Sequence, residues 1–498
     1  MRGLGSEAGT RADLRAGQTG SRAAGGFELD DAARGRLTER IERALAIARR
    51  ERRRVIASVT TAIDPGVDVS ASVLRARRAD DRCLCLEQPD RGGFALAALG
   101  SAAMVEGHGS ERFGEVTAKS RALADRALVD DPAADPGRPP AAGPVWVGGF
   151  AFADQGGGAP EWSSLAPAQL VMPEVTLVRQ DGEARLTVVA VVHGDESAIS
   201  VLERAEARIA TVMPAEMPLA DPDPVARARV ASAMSPAHYE AAVARAVERI
   251  RAGELDKVVL AREVRVHAPL EIDPAPVLGA LREAFPACYC YLVGTPELTF
   301  VGASPELLVR RDGARAQTVA LAGTARRSAD PSVDDHLGER LVASDKDREE
   351  HSIVARRIER TLRRASLWVM VAEEPSLVKV LNVQHLATPI RAQLAEPLAT
   401  LELAGLLHPT PAVGGEPWKR AAALIPALEG LDRGWYAGAV GWTDLAEDGE
   451  LCVALRCALL RGRVAHLYAG DGIVRDSVPA EELAETEVKL EALLPLLS

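Results

Sequence analysis

The chain has no apolar run near the ~18 residues that a membrane-crossing helix needs, which excludes a helical membrane protein. Residues 1–20 (MRGLGSEAGTRADLRAGQTG) contain no apolar segment, so they do not read as a secretory signal. Cysteine is sparse: Cys83/Cys85, Cys288/Cys290 and Cys452/Cys457, with no C-x-x-C among them. A C-x-C pair on a strand puts both thiols on one face, so reduced core cysteines of a cytoplasmic protein are expected. No Cys/His cluster has zinc spacing, and no G-x-S-x-G elbow occurs. VWVGGFAF (145–152), with Asp154 and Gly156-Gly157-Gly158 after it, fits neither Walker nor Rossmann spacing, so no nucleotide is assigned there. Positive charge is also short. With 59 Lys and Arg against 71 Asp and Glu, the net charge is −12, which argues against bulk nucleic-acid binding. An anionic substrate must then meet a locally basic or metal-bearing site.

What is present is apolar mass: 47% of 498 residues, enough for a substantial core. Residues 1–29 lack periodicity and read as a mobile tail. A helix is expected from Asp31, with Leu37, Ile41, Leu45 and Ile47 inward and the basic run 49–54 as its solvated end. Short strands follow from Val55 to Val212, with a loop over Pro132 to Pro144. Met213 to Pro224, with four prolines, reads as a linker. Ser235-Pro236 then caps a helix that Gly253 closes. A hairpin is expected at Asp448-Gly449. Mixed helices and antiparallel strands, without repeats or heptads, give an α+β class. Residues 30–224 and 225–498 are expected to form one globular unit.

Five stretches carry candidate chemistry. In LDKVVLAREVRV (255–266), strand alternation places Lys257 with Val259 and Ala261. Burial works against an ammonium there, and a neutral amine is a base; a snorkelling strand-end lysine is the plain alternative. In FVGASPELLVRR (300–311), Glu306 leads from a Ser304-Pro305 turn into apolar residues, which suits a general acid or an ordinary turn carboxylate. DKDREEHSIVARRIERTL (345–362) is a helix offering Glu349 or Glu350 as metal ligands, with His351 expected at the surface. LNVQHLATPI (381–390) puts His385 in an apolar strand. In the last stretch, 456–497, Glu482, Glu485 and Lys489 share one stripe of a helix, beside Leu483, Leu490 and Leu494 and below a Gly470-Asp471-Gly472 loop. A solvated Glu/Lys face is the bland reading of that stripe. The only metal logic on offer uses carboxylates, which favours Mg²⁺ over Zn²⁺.

Ten motifs from about residue 237 onward resemble, in order, the chorismate-utilising enzymes, and among them the isochorismate synthases: DKVVLAR, VGASPELL, ALAGTARR, KDREEH, QHLATP, LLHPTPAVGG, VGWTD, RCALL, AGDGIV and ETEVKL. The N-terminal part matches more loosely, through VGGFAF and Asp154. The resemblance implies large, mostly antiparallel sheets packed with helices in a single domain whose catalytic core is 225–498. It also implies Mg²⁺-dependent conversion of chorismate to isochorismate, by water addition at C2 and loss of the C4 hydroxyl. By the same resemblance Lys257 is the base and Glu306 the acid. Glu350 and Glu485 are Mg²⁺ ligands, with Glu482 contributing through water. Arg456 and Lys489 pair with substrate carboxylates, N–H groups around Gly470 and Gly472 form an anion nest, and Gly323, Thr324 and His385 line the ring pocket.

Relatives that make anthranilate or aminodeoxychorismate lack the lysine matching Lys257 and take ammonia from a glutaminase partner. Having Lys257 therefore implies water as nucleophile and no glutaminase subunit; the resemblance further implies a monomer serving menaquinone or siderophore biosynthesis. Salicylate synthases share the lysine and then eliminate pyruvate; the small apolar pair in Pro411-Ala412-Val413 favours isochorismate formers. A non-catalytic chorismate-binding protein is opposed by the presence of every acid, base and metal position. Asp471 and Glu487 depart from the pattern, each an acid where many relatives have a small residue.

Overall fold

A computed structural model of the chain describes residues 25–221 and 227–498. Among the described residues the strands form two antiparallel sheets, of twelve and ten strands. Each sheet draws strands from both sides of the proline-rich segment. The larger joins Val55–Ala62 and Glu183–Val192 from the first part to Lys257–His267, Thr299–Ser304 and Val464–Ile473 from the second. The smaller joins Val145–Phe150 and Ala168–Met172 to Val383–Leu394 and Ala439–Asp444. Neither part therefore has a sheet of its own.

One hydrophobic core holds the sheets together and a second lies under the outer helices. In Cys83–Gln88, Leu84 and Leu86 join the first core while Cys83 and Cys85 join the second. Tyr289 and Tyr291 divide from Cys288 and Cys290 in the same way. Burial on both faces explains why runs such as FALAAL are apolar throughout instead of alternating. All six cysteines are buried free thiols.

Local expectations mostly hold. The first helix is Asp31–Glu51, capped by the Asp30 carboxylate, with Leu37, Ile41 and Leu45 buried and Ile47 half-buried. The helix Pro236–Arg251 is capped by Ser235 and stops before Gly253, whose φ is +76°. The hairpin at Asp448-Gly449 joins Ala439–Asp444 to Gly449–Val453.

Several expectations need correction. Of the tail, residues 1–24 lie outside the described residues, but Phe27 donates to the Val212 carbonyl at 2.9 Å and packs with Leu29 on the second core. Of the linker, 222–224 lie outside as well; 213–221 has no regular element, although Met217 packs on the second core. The last long helix ends at Leu490, and Leu494 starts a separate four-residue turn. Its three leucines do not form one seam: Leu483 packs half-buried on the first core, Leu490 on the second. The buried stripe is instead Glu482, Thr486, Val488 and Leu490, so a carboxylate occupies part of it.

No described helix is long and apolar enough to cross a membrane.

Candidate active site

Where the two sheets meet, a cavity opens between the ends of several strands. Its wall includes Glu306, Gly323, Thr324, His385 and Arg456 on one side. Glu350, Gly470, Gly472 and Lys489 complete it from the helices Asp345–Arg363 and Pro479–Leu490 and the strand Val464–Ile473. Residues scattered over 200 positions are thus brought together. Lys257, Glu482 and Glu485 lie just behind this wall.

Lys257 starts the strand Lys257–His267 and is 0% exposed. Antiparallel register sets Val259 opposite Gly472 and Ala261 opposite Gly470, so the face predicted for Lys257 is the face toward the cavity. Its Nζ lies 2.9 Å from Glu350 Oε1, its sole ion-pair partner among the described residues. Gly472 makes room for this pair. A Cβ at 472 would run into Glu350 Oε1 and stand 2.8 Å from Lys257 Cε. Both are ends of flexible side chains, so Gly472→Ala should fold while pushing them out of place. A loss of turnover on the order of 100-fold, the scale of an ångström misplacement, is expected, with an unchanged unfolding midpoint. Normal turnover in that variant would remove the steric argument.

Gly470-Asp471-Gly472 is strand, not the expected loop. The Gly472 N–H donates to Asp471 Oδ1 at 2.7 Å, so it is already engaged and the expected anion nest is not formed. Asp471 points inward, 5% exposed, and its oxygens converge with those of Glu482 and Glu485 to within 4.8 Å of one another. Glu350, expected in this set, stands apart with Lys257. Each acid is held by a lysine: Lys346 Nζ is 2.7 Å from Glu482 Oε1, and Lys489 Nζ is 2.9 Å from Glu485 Oε1 and 3.1 Å from Asp471 Oδ1. Burial, and then the Glu485 charge, push Asp471 well above the usual carboxylate range, while Lys489 overcomes burial to pull Glu485 down. The donors are all carboxylate oxygens, and Asp471 Oδ2 is buried without a donor. The residues present therefore fit a hard divalent cation such as Mg²⁺.

Lys489 differs from its expected role. Its ammonium already meets Gly470 O at 3.1 Å besides the two carboxylates, which uses all three of its N–H bonds. Arg456 is the cation left for an anion: buried, lining the cavity, and without a carboxylate partner among the described residues. Its φ of +49° is the left-handed region, a conformation the surrounding strands must hold in place. Arg456 Nη2 lies 2.9 Å from His385 Nε2. A guanidinium only donates, so Nε2 is the acceptor and Nδ1–H points to the Gly323 carbonyl at 3.3 Å, beside Thr324 Oγ1 at 3.2 Å. Burial, with Arg456 and Lys489 adding to it, lowers His385 to about 3, so it is neutral. Gly323, at φ +76°, sits at the register break between Ala322 and Thr324 that aims this group.

Glu306 lies between two strands, 2% exposed, and burial pushes it up to about 8 against the opposing effects of Lys257 and the Thr410 hydroxyl. It therefore carries a proton at neutral pH. His351, expected at the surface, is 4% exposed and bonded to Thr388 Oγ1 at 2.7 Å.

Sequence reasoning missed two supports. Glu429 and Arg433 form a fully buried ion pair at 2.5 Å; Arg433 holds the Val413 and Val259 carbonyls, both of cavity residues, and Glu429 accepts from the Ala261 N–H. The i, i+4 spacing near a helix end was the available signal. Lys346, the first residue of KDREEH, was the other, and nothing in its local pattern shows that it reaches Glu482.

Residues 39–498 match the family described as Chorismate binding enzyme. The chain belongs to the chorismate-binding enzymes. Among similar proteins, the salicylate biosynthesis isochorismate synthase of Pseudomonas aeruginosa is 37% identical over 463 residues, 92% of this chain and 93% of that one. The isochorismate synthase MenF of Bacillus subtilis is 36% identical over 359 residues, covering 72% of this chain and 75% of its own. Among solved structures, the menaquinone-specific isochorismate synthase MenF of Escherichia coli aligns with a TM-score of 0.74 at 26% identity, over 92% of this chain and all of that one. The α+β fold of two antiparallel sheets is thus the fold of this family. The family match, from residue 39, runs through the N-terminal part whose motifs resemble the family only loosely.

Proposed function

We propose that this chorismate-binding enzyme is an isochorismate synthase, converting chorismate to isochorismate in the presence of Mg²⁺. The observation that carries the reading is a buried amine, Lys257, and a buried protonated carboxyl, Glu306, at one cavity whose wall holds an uncompensated guanidinium. Such a pair can deprotonate water and protonate a leaving hydroxyl in a dry site. Arg456 binds a substrate carboxylate with its planar fork, and neutral His385 fixes the plane of that fork. Lys257 activates the water that adds at C2, from its place just behind the wall beside Glu350. Glu306 gives its proton to the departing C4 hydroxyl. Gly323 and Thr324 shape the wall against the ring. Glu350, Glu482 and Glu485, with Asp471 beside them, would hold Mg²⁺, which supplies charge neutralisation and orientation for a substrate carboxylate.

Water as nucleophile needs no ammonia, so we propose a monomer acting without a glutaminase subunit, in the cytoplasm. The names of the relatives support a product destined for menaquinone or siderophore biosynthesis. The test is incubation of purified protein with chorismate and Mg²⁺, with and without EDTA, followed by mass analysis. Isochorismate alone, lost on chelation, is expected. Salicylate with pyruvate would reassign the chain to salicylate synthases, and ligand binding without any product would make it a binding protein.

A further inference from the structure

Four carboxyl groups crowd the inner end of the cavity, Glu350, Asp471, Glu482 and Glu485, beside the side-chain nitrogens of Lys257, Lys346 and Lys489. Geometry singles out Asp471 among them. Oδ1 of Asp471 receives the Gly472 N–H and lies beside Lys489, whereas Oδ2, equally buried, receives no donor. Asp471 lines the cavity, and its carboxylate can bring an oxygen within 4.8 Å of oxygens from both Glu482 and Glu485. A buried carboxyl with one orphaned oxygen, grouped with two further carboxylates, is the arrangement a hard cation stabilises, because it answers all three with one doubly charged centre.

We propose that Asp471 is itself a ligand of the divalent cation, so that this chain holds the metal with protein groups before substrate arrives. The inference rests on the cation reading given above. In the free protein Asp471, Glu482 and Glu485 would hold the cation together, with Lys489 beside the other oxygen of Asp471. A cation held in this way would be in place before substrate, where it would neutralise a substrate carboxylate.

The test uses Mn²⁺ as a paramagnetic probe with the full chain and no chorismate, its binding read by electron paramagnetic resonance titration. The wild-type chain should bind one Mn²⁺. Asp471→Asn keeps the shape and the acceptor facing Gly472, and should weaken that binding by more than about 10-fold, the loss seen even for groups one shell removed from a metal. Asp471→Glu should retain most of it. In the wild-type chain labelled with ¹³C at aspartate carboxyls, an electron–nuclear coupling to bound Mn²⁺ is expected, which needs no variant to fold. Unchanged affinity in Asp471→Asn, or no carbon coupling, overturns the proposal while leaving the cation reading intact. Failure of the wild-type chain to take up Mn²⁺ without chorismate also overturns it, as when Asp471 and Glu485 close on a shared proton. Failure with chorismate as well overturns the cation reading along with it.

Discussion

Lys257→Ala should lose turnover of chorismate by at least 100- to 10 000-fold, the range that a positioned base supplies, while Mg²⁺-dependent binding of chorismate survives. The two halves of this expectation have separate causes. Lys257 is fully buried and contributes no part of the anion-binding wall, which belongs to Arg456, so binding has little reason to fall. Its Nζ also stands 2.9 Å from Glu350 Oε1, so its removal leaves that carboxylate free. Lys257→Gln separates the base from the bulk: it fills the space without accepting a proton and should be as inactive as the alanine variant. Single-turnover kinetics with equilibrium binding checks both. Near-normal rates in either variant would show that another group activates the water.

Glu306→Gln has the second largest expected effect, and it is tied to pH. Burial raises the carboxyl to about 8, so below that value it holds the proton that the leaving hydroxyl needs. As pH rises through about 8 the proton is lost, and kcat/KM should fall tenfold per further unit. The sign follows from the role: an acid works when protonated, and its titration limits the alkaline side. Glu306→Gln should reduce kcat by roughly 100- to 10 000-fold and abolish the alkaline limb, because amide has nothing to titrate there. A limb that persists unchanged in Glu306→Gln belongs to another group, and the acid assignment fails.

What was readable from sequence divides by distance along the chain. The face carrying Lys257 follows from alternation over a few residues, and the structure keeps it. The helix with Glu350 and the capped helix after Ser235 follow from a 3.6-residue period and a cap, both local. Errors arose where the answer depends on what packs against a residue. Gly470-Asp471-Gly472 reads as a loop because glycines and an aspartate favour turns, yet pairing with Lys257–His267 extends it. His351 is polar and near a helix start, and its burial is set by Thr388, 37 positions away.

The site divides in the same way. Sequence by itself determined its inventory: oxygen donors only, one lysine on a strand face, one glutamate against apolar neighbours, arginine and histidine in apolar strands. Tertiary structure decided which of these groups are already satisfied. Register across the large sheet sets Gly472 opposite Val259, close to the Lys257 side chain, and groups Asp471 with Glu482 and Glu485. The packing of two helices onto that sheet gives each acid its lysine and leaves Arg456 without a carboxylate partner among the described residues. The reason is electrostatic. A charge buried in the core takes its character from partners within a few ångströms, and those partners are assembled by sheet and helix packing, not by neighbours in the chain.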